Sequence, residues 1–178
     1  MVSVSSIGDV SKRILTAMWM RRTLASLSLV VALAALASAG DLAPLDYRFS
    51  VPDPAAHQLR VELTLADLPP GPLALHVSRS SPGRYALHDF ITHVTDLRVT
   101  AGGRQLTVSG PSANGWVVPT HPSSVSVSYT VTGDRVDGTY LAVDATHAHI
   151  NMPAALVWVP GLESRPRSEE HTSELQSH

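Results

Sequence analysis

The chain has 178 residues, with 13 Lys and Arg against 15 Asp and Glu, so its net charge at pH 7 is −2. This balance, together with the lack of any Lys/Arg cluster, argues against a nucleic-acid partner. Cysteine is absent, which excludes disulfide bonds and the thiol that a lipoprotein signal must carry.

The start of the chain predicts an export signal. The pair Arg21-Arg22 precedes an uncharged apolar run over residues 24–36, and residues 37–39 (Ala-Ser-Ala) form a small-x-small cleavage pattern. As a helix, the run would span about 20 Å, short of the ~30 Å bilayer core. We therefore expect non-coding residues at 1–17, a helical signal peptide at 18–39, and a periplasmic or secreted product that is free of the membrane.

The last residues have a different character. Residues 167–178 read RSEEHTSELQSH, a polar, helix-prone string that resembles the translation of a sequencing adapter. A short charged C-terminal helix is the alternative interpretation. We expect the gene-derived sequence to stop near Pro166, which leaves residues 40–166 as one domain, large enough to bury about two-thirds of its surface.

Between these ends the apolar residues recur with a period of two. Alternation is clearest over residues 59–65 and 125–131, where Leu or Val alternates with polar side chains. Shorter strands are predicted at residues 47–51, 73–77, 94–100, 105–109, 115–118, 140–143 and 156–159. Gly102-Gly103 is a hairpin signal. Many short strands separated by Gly/Pro turns predict an all-β fold, an antiparallel β-sandwich.

Metal binding is one function that histidine could serve in this domain. The pattern His147-x-His149 places two imidazoles on one face of a strand, which suits Zn²⁺ or Cu²⁺. No third ligand follows at a recognisable spacing. These histidines are therefore weak metal candidates, and a small metal carrier is a minor alternative for the whole domain.

Catalytic motifs are absent from the sequence. It contains neither H-E-x-x-H nor G-x-S-x-G. Trp116 stands within a predicted strand and is expected in the core rather than on a sugar-stacking surface. The residues by themselves therefore indicate no hydrolytic chemistry.

One segment combines charged and aromatic residues directly after a Pro-Gly turn, a mixture that indicates a structural or functional role. Ser81-Pro82-Gly83-Arg84-Tyr85 is followed by Asp89-Phe90. This string resembles the signature of the N-terminal domain of the glycyl aminopeptidases, exported zinc metallopeptidases of the thermolysin-like clan that usually also carry a PDZ domain. The lead-in residues 79–81 depart from the apolar and aromatic residues typical of the family.

Further landmarks of the same family follow in order along the chain. They are the strand with Trp116, the next strand with Tyr129, and residues 139–151 with Asp144 and Asn151. The resemblance implies structural roles for these four residues. For the signature residues 81–85, 89 and 90 it implies either a core corner or an interdomain contact.

The resemblance also implies what the chain would do. It would be the truncated, non-catalytic N-terminal domain of an exported zinc aminopeptidase, where it would scaffold a missing catalytic domain and partly wall its substrate cleft. Because this chain lacks the family's H-E-x-x-H, the resemblance implies that it is itself inactive and holds no cofactor. Zinc and the peptide substrate would belong to the full-length parent. The alternative is a stand-alone exported β-sandwich that binds carbohydrate or protein.

Overall fold

The predicted alternation appears as β-structure across residues 42–172, which are the residues that a computed structural model describes. The expected signal peptide at 18–39 and the upstream residues 1–17 lie outside this range. The strands are β1 (Leu45–Ser50), β2 (Gln58–Leu65), β3 (Leu73–Val77), β4 (Val94–Ala101), β5 (Arg104–Gln105), β6 (Ser109–Ser112), β7 (Gly115–Val118), β8 (Val125–Thr132), β9 (Ala142–Val143), β10 (Ala148–His149), β11 (Val157–Trp158) and β12 (Arg167–Thr172). A four-residue helix, α1 (Met152–Ala155), and 3-10 turns at Pro54–Ala56 and Phe90–His93 complete the described elements.

Within residues 42–172 the strands form two main sheets. The larger sheet has the order β12-β1-β2-β8-β4-β5, the smaller has the order β11-β3-β7-β6, and β9 and β10 form a separate ladder. Strand pairing is antiparallel except between β1 and β12, which run parallel. The all-β fold predicted from the sequence is confirmed.

The core lies between the inward faces of the two sheets. Strand β2 buries every second residue, and its partner β8 does the same in register, so that Val61 lies opposite Tyr129 and Leu63 opposite Val127. Each fully buried aliphatic side chain contributes about 1.5–3 kcal/mol relative to its exposed state. This matched alternation fixes the register, because a slip by one residue would turn the apolar set outward.

The Gly102-Gly103 hairpin is confirmed between β4 and β5. Thr100 pairs with Gln105 and Ala101 with Arg104, and both glycines have positive φ, as a tight two-residue hairpin loop requires.

The single strand predicted at residues 105–109 is wrong. The chain leaves the larger sheet after Gln105 and joins the smaller one at Ser109. This crossing lets Leu106 and Val108 pack against the core from the connecting segment.

Strand β12 occupies residues for which the sequence suggested a helix-prone tail. Its main chain pairs with β1 from Leu45–Arg167 to Ser50–Thr172, and the side chains of residues 167–170 are exposed. Main-chain pairing accepts almost any sequence at a sheet edge, which explains how a polar segment adopts this extended form. The adapter origin of residues 167–178 stays a prediction.

Two buried tyrosines tie the larger sheet to the main chain at the end of α1 and the start of β11. The hydroxyl of Tyr47 donates to the carbonyl of Val157 at 2.8 Å. The hydroxyl of Tyr129 donates to the carbonyl of Ala155 at 2.9 Å and accepts from the N–H of Val157 at 2.9 Å. These bonds satisfy main-chain groups that would otherwise be buried without partners.

Arg165 makes a further buried contact at the end of the sandwich where β2 ends. Its side chain is buried, and Nη1 and Nη2 donate to the carbonyls of Ala66 and Asp67 at 2.6 and 2.7 Å. The segment before β12 is thereby held against the turn that follows β2. In residues 42–172 no helix is long and apolar enough to span a bilayer.

Replacing Tyr129 with Phe should lower the free energy of unfolding by about 1–3 kcal/mol, because two buried main-chain groups lose their partner. Urea denaturation of the purified chain measures the change. Tyr85→Phe is the matched control, since Tyr85 is fully exposed, and it should leave the midpoint unchanged. Equal midpoints for Tyr129→Phe and the wild type would contradict the role assigned to this hydroxyl.

Stability should fall at alkaline pH. Burial raises the pKa of Tyr47 from 10.0 to about 12 and also raises the pKa of Tyr129. Above pH 10 the unfolded state loses the tyrosine protons while the folded state keeps them. The stability that the two protonated tyrosines contribute is therefore complete below pH 10 and is lost as the pH rises through their folded pKa values. The slope should approach about 1.4 kcal/mol per pH unit for each tyrosine. Urea titrations above and below pH 10 test this, and a double Phe variant at both positions should show a flatter profile.

Candidate functional site

The signature loop (residues 81–90) begins in the core and then turns outward. Ser81 is buried, and Gly83 adopts φ +75°, a conformation that favours glycine. The N–H of Arg84 donates to the carbonyl of Ser81 at 3.1 Å, which closes the turn. Tyr85 is fully exposed, and the loop re-enters the core at Phe90.

An aromatic cluster supports the returning end of this loop. The ring of Phe90 is buried and meets Tyr140 edge-on, with 5.1 Å between centroids, while His88 stacks on Phe90 at 5.0 Å. His93 lies 4.9 Å from Tyr140, and the Arg135 guanidinium covers the Tyr140 ring at 3.8 Å. Such ring pairs and cation–π contacts are each worth on the order of 1 kcal/mol. The loop therefore rests on a packed base.

The same cluster contains His88 and His93, two histidines whose spacing aligns with neither helix nor strand geometry. Both are half-buried against Tyr140. His93 ends the 3-10 turn Phe90–His93, and His88 lies two residues before that turn begins.

Asn151 links three parts of the chain. Its Nδ2 donates to the hydroxyl of Ser81 at 3.1 Å and to the carbonyl of Thr139. Ser81 opens the signature loop, Thr139 follows β8, and Asn151 directly precedes α1. Ser81 and Thr139 are both buried, so the amide serves polar groups that water does not reach. Asn151 therefore holds the two loops side by side.

A second loop, the Asp137 loop (residues 134–140), runs beside the first. The Asp137 carboxylate accepts from the N–H groups of Thr139 and Tyr140 at 2.9 and 3.1 Å, and Arg135 lies 3.2 Å away. The Thr139 N–H is the main cause that lowers the pKa of Asp137. Arg84 of the signature loop donates to the Asp137 carbonyl at 3.0 Å.

The structure buries two of the signature residues and exposes the other five. Ser81 and Phe90 lie in the core, as a core corner requires. Pro82, Gly83, Arg84, Tyr85 and Asp89 are exposed. Asp89 lies 3.7 Å from Arg79 in an exposed ion pair, which contributes little to stability. The exposed part of the loop stays a predicted interdomain contact.

The remaining landmark residues occupy defined positions. Trp116 is buried in β7, and Tyr129 is buried in β8. Asp144 lies in the turn between β9 and β10, where its Oδ1 accepts from the hydroxyl and N–H of Thr146 and from the N–H of His147. The Thr146 hydroxyl is the main cause that lowers the pKa of Asp144 to about 2.

The two weak metal candidates lie on this turn and on the strand that follows it. His147 is exposed and its Nδ1 lies 3.2 Å from the Asp144 carboxylate, whereas His149 is exposed on β10. In the part of the chain that the structure describes, no three His, Asp or Glu side chains come close enough to hold a metal.

Sequence reasoning missed Arg135, Asp137 and Tyr140 as parts of this site. Asp-Gly-Thr at 137–139 is typical of a turn in which the Asp side chain binds following N–H groups, and the structure has that turn. The cation–π contact could not be read from the chain, because it depends on which loop lies beside Tyr140.

The architecture is that of an all-β domain with two linked loops at one end, and comparison with known proteins assigns its class. The family described as Peptidase M61 N-terminal domain matches residues 46–174. The chain belongs to this family. The resemblance to the glycyl aminopeptidase N-terminal domain, inferred from the signature loop, is thereby confirmed. No curated protein matches the chain.

A solved structure shares the fold. It is the crystal structure of the aminopeptidase N family protein from Idiomarina loihiensis, with a TM-score of 0.69 and 22% sequence identity. The match covers 72% of this chain and 22% of that protein's chain. At this identity the likeness supports the fold alone. The chain spans less than a quarter of the length of that protein.

Replacing Asn151 with Ala should lower the free energy of unfolding by about 1–3 kcal/mol, because Ser81 Oγ and the Thr139 carbonyl lose a buried donor. Thermal or urea unfolding measures the loss. Asn114→Ala is the matched control, since Asn114 is exposed in the β6–β7 turn. Equal stabilities for the two variants would show that the amide does not hold the loops.

Proposed function

We propose that this chain is the non-catalytic N-terminal domain of an exported zinc metallo-aminopeptidase. In that role it supports a catalytic domain and forms part of the wall of its substrate cleft. The observation that carries the proposal is the family match over residues 46–174, whose description names a peptidase N-terminal domain. The length of the Idiomarina loihiensis protein relative to this match supports a larger parent.

Zinc is assigned to the parent's catalytic domain in this proposal. The residues that this chain presents do not fit a zinc site: His147 is engaged with Asp144, and His149 has no third ligand near it among residues 42–172. A tetrahedral zinc site needs at least three protein ligands. The proposal therefore gives this domain no catalytic step.

Export is supported by the sequence pattern near the start. The Arg21-Arg22 pair, the apolar run over 24–36 and the small residues at 37–39 fit a cleaved secretory signal. The family's PDZ domain would also belong to the parent, together with the peptide substrate.

The assay compares the 178-residue chain with the complete parent, expressed from genomic DNA that is read past codon 166. With added zinc, the parent should hydrolyse aminoacyl substrates and lose that activity with a chelator, while the chain alone should show no turnover. Chelator-sensitive turnover by the chain alone would contradict the proposal. A gene with an ordinary stop codon near residue 166 would instead favour a stand-alone binding module.

A further inference from the structure

Asn114 stands at an exposed hairpin turn and is followed directly by glycine. The chain contains two asparagines, Asn114 and Asn151. Asn114 lies with Ala113 in the turn between β6 and β7, and both residues are exposed. Within residues 42–172 the Asn114 side chain has no hydrogen-bond partner. Its amide is therefore open to water and free to change its rotamer.

Asn151 has the opposite surroundings. Its Nδ2 donates to the hydroxyl of Ser81 and to the carbonyl of Thr139. The residue that follows it, Met152, begins α1. The Asn151 side chain cannot turn toward the next main-chain nitrogen unless both of these bonds break.

The fold requires glycine at position 115. A Cβ built on Gly115 would lie 2.0 Å from the carbonyl oxygen of Leu75, because β7 packs its main chain closely against β3 and Gly115 pairs there with His76. No other residue fits this approach, so the fold fixes an Asn-Gly pair at the turn. Glycine has no Cβ to hinder its own nitrogen from approaching the preceding side chain.

The end of the hairpin around this turn is weakly paired. Ser112 and Gly115 form the last pair of the ladder, and the pairing is irregular between Ser109 and Ser112. Strand β6 also lies at the edge of the smaller sheet. Edge segments with few ladder bonds open locally at a low cost in free energy. Such opening lets the Asn114 side chain bring its Cγ to the main-chain nitrogen of Gly115.

We infer that Asn114 is a site of spontaneous deamidation. The main-chain nitrogen of Gly115 gives its proton to a water-derived base and attacks Cγ of Asn114, which closes a five-membered succinimide and expels the side-chain nitrogen as ammonia. Water then opens the ring. Addition at Cγ restores the normal main chain with aspartate at position 114, whereas addition at the former main-chain carbonyl yields isoaspartate. The net reaction consumes one water and releases one ammonia, without an oxidant or a reductant.

The Asp137-Gly138 pair is protected from the corresponding ring closure. The Asp137 carboxylate accepts from the N–H groups of Thr139 and Tyr140, and the Thr139 N–H is the main cause that lowers its pKa. The group therefore stays ionised and pinned, and an ionised carboxylate resists attack by a main-chain nitrogen. Asn114 carries a neutral amide and has no such restraint.

Isoaspartate at position 114 would alter a contact with β3. In that product the main chain runs through Cγ, and the former main-chain carbonyl becomes a free carboxylate. In the unmodified chain this carbonyl accepts from the N–H of Val77 at 2.9 Å. The amide of Val77 should therefore exchange at least about tenfold faster in the isolated isoaspartyl form. Unchanged exchange at Val77 would contradict this link to β3.

Timed incubation of the purified 178-residue chain in mildly alkaline buffer, followed by peptide mapping with mass spectrometry, tests the site. The peptide with Asn114 should show the mass change from amide to acid, in two isomers that chromatography separates. The peptide with Asn151 should convert at least about tenfold more slowly, because local opening must first break its two buried bonds. Equal conversion at the two asparagines would overturn the inference.

Asn114→Gln is the matched variant. It keeps an exposed primary amide, but its ring closure needs a six-membered imide, which forms far more slowly. Conversion at position 114 and most of the ammonia release should therefore disappear. Ammonia release equal to that of the wild type would count against Asn114 as the source.

The same incubation in urea separates the folded hairpin from the bare dipeptide. Conversion of Asn114 in both the folded and the unfolded chain supports a site that the fold leaves reactive. Conversion in urea alone would show that the hairpin protects Asn114, and it would overturn the inference.

Discussion

The main chain around Val157 is the point on which the two sheets depend. Tyr47 lies on β1 and Tyr129 on β8, with β2 between them, yet their hydroxyls both reach the main chain at residues 155–157. Without them, the Val157 N–H and the carbonyls of Val157 and Ala155 would be buried among aliphatic side chains. The cost of such unpaired groups makes the relative position of the sheets specific as well as favourable.

The placement of β11 also decides the geometry of the loops. Asn151 directly precedes α1, and α1 is followed closely by β11, so the position of β11 constrains where the Asn151 amide lies. That amide reaches Ser81 and Thr139 together. The hydrogen bonds between the sheets and those that hold the two loops are therefore coupled through the segment from Asn151 to Val157. Both sets satisfy polar groups that are buried.

The best-connected carboxylates of the described residues shape turns. Asp137 and Asp144 each accept hydrogen bonds from main-chain N–H groups that follow them in the chain. The chain belongs to a family described as a peptidase N-terminal domain, and the role proposed for it is the support of a catalytic domain.

The sequence by itself determined the class of fold, because period-two alternation at residues 59–65 and 125–131 permits only strands with one buried face. It also determined the Gly102-Gly103 hairpin, since turn chemistry is local, and the family, since the signature residues stand close together in the chain. Tertiary structure decided the rest. The split of residues 105–109 between sheets, the edge-on contact of His88 with Tyr140 and the stacking of Arg135 on Tyr140 all depend on contacts between distant segments. Local pattern cannot specify them, because the same residues would satisfy their own backbone equally well with other neighbours.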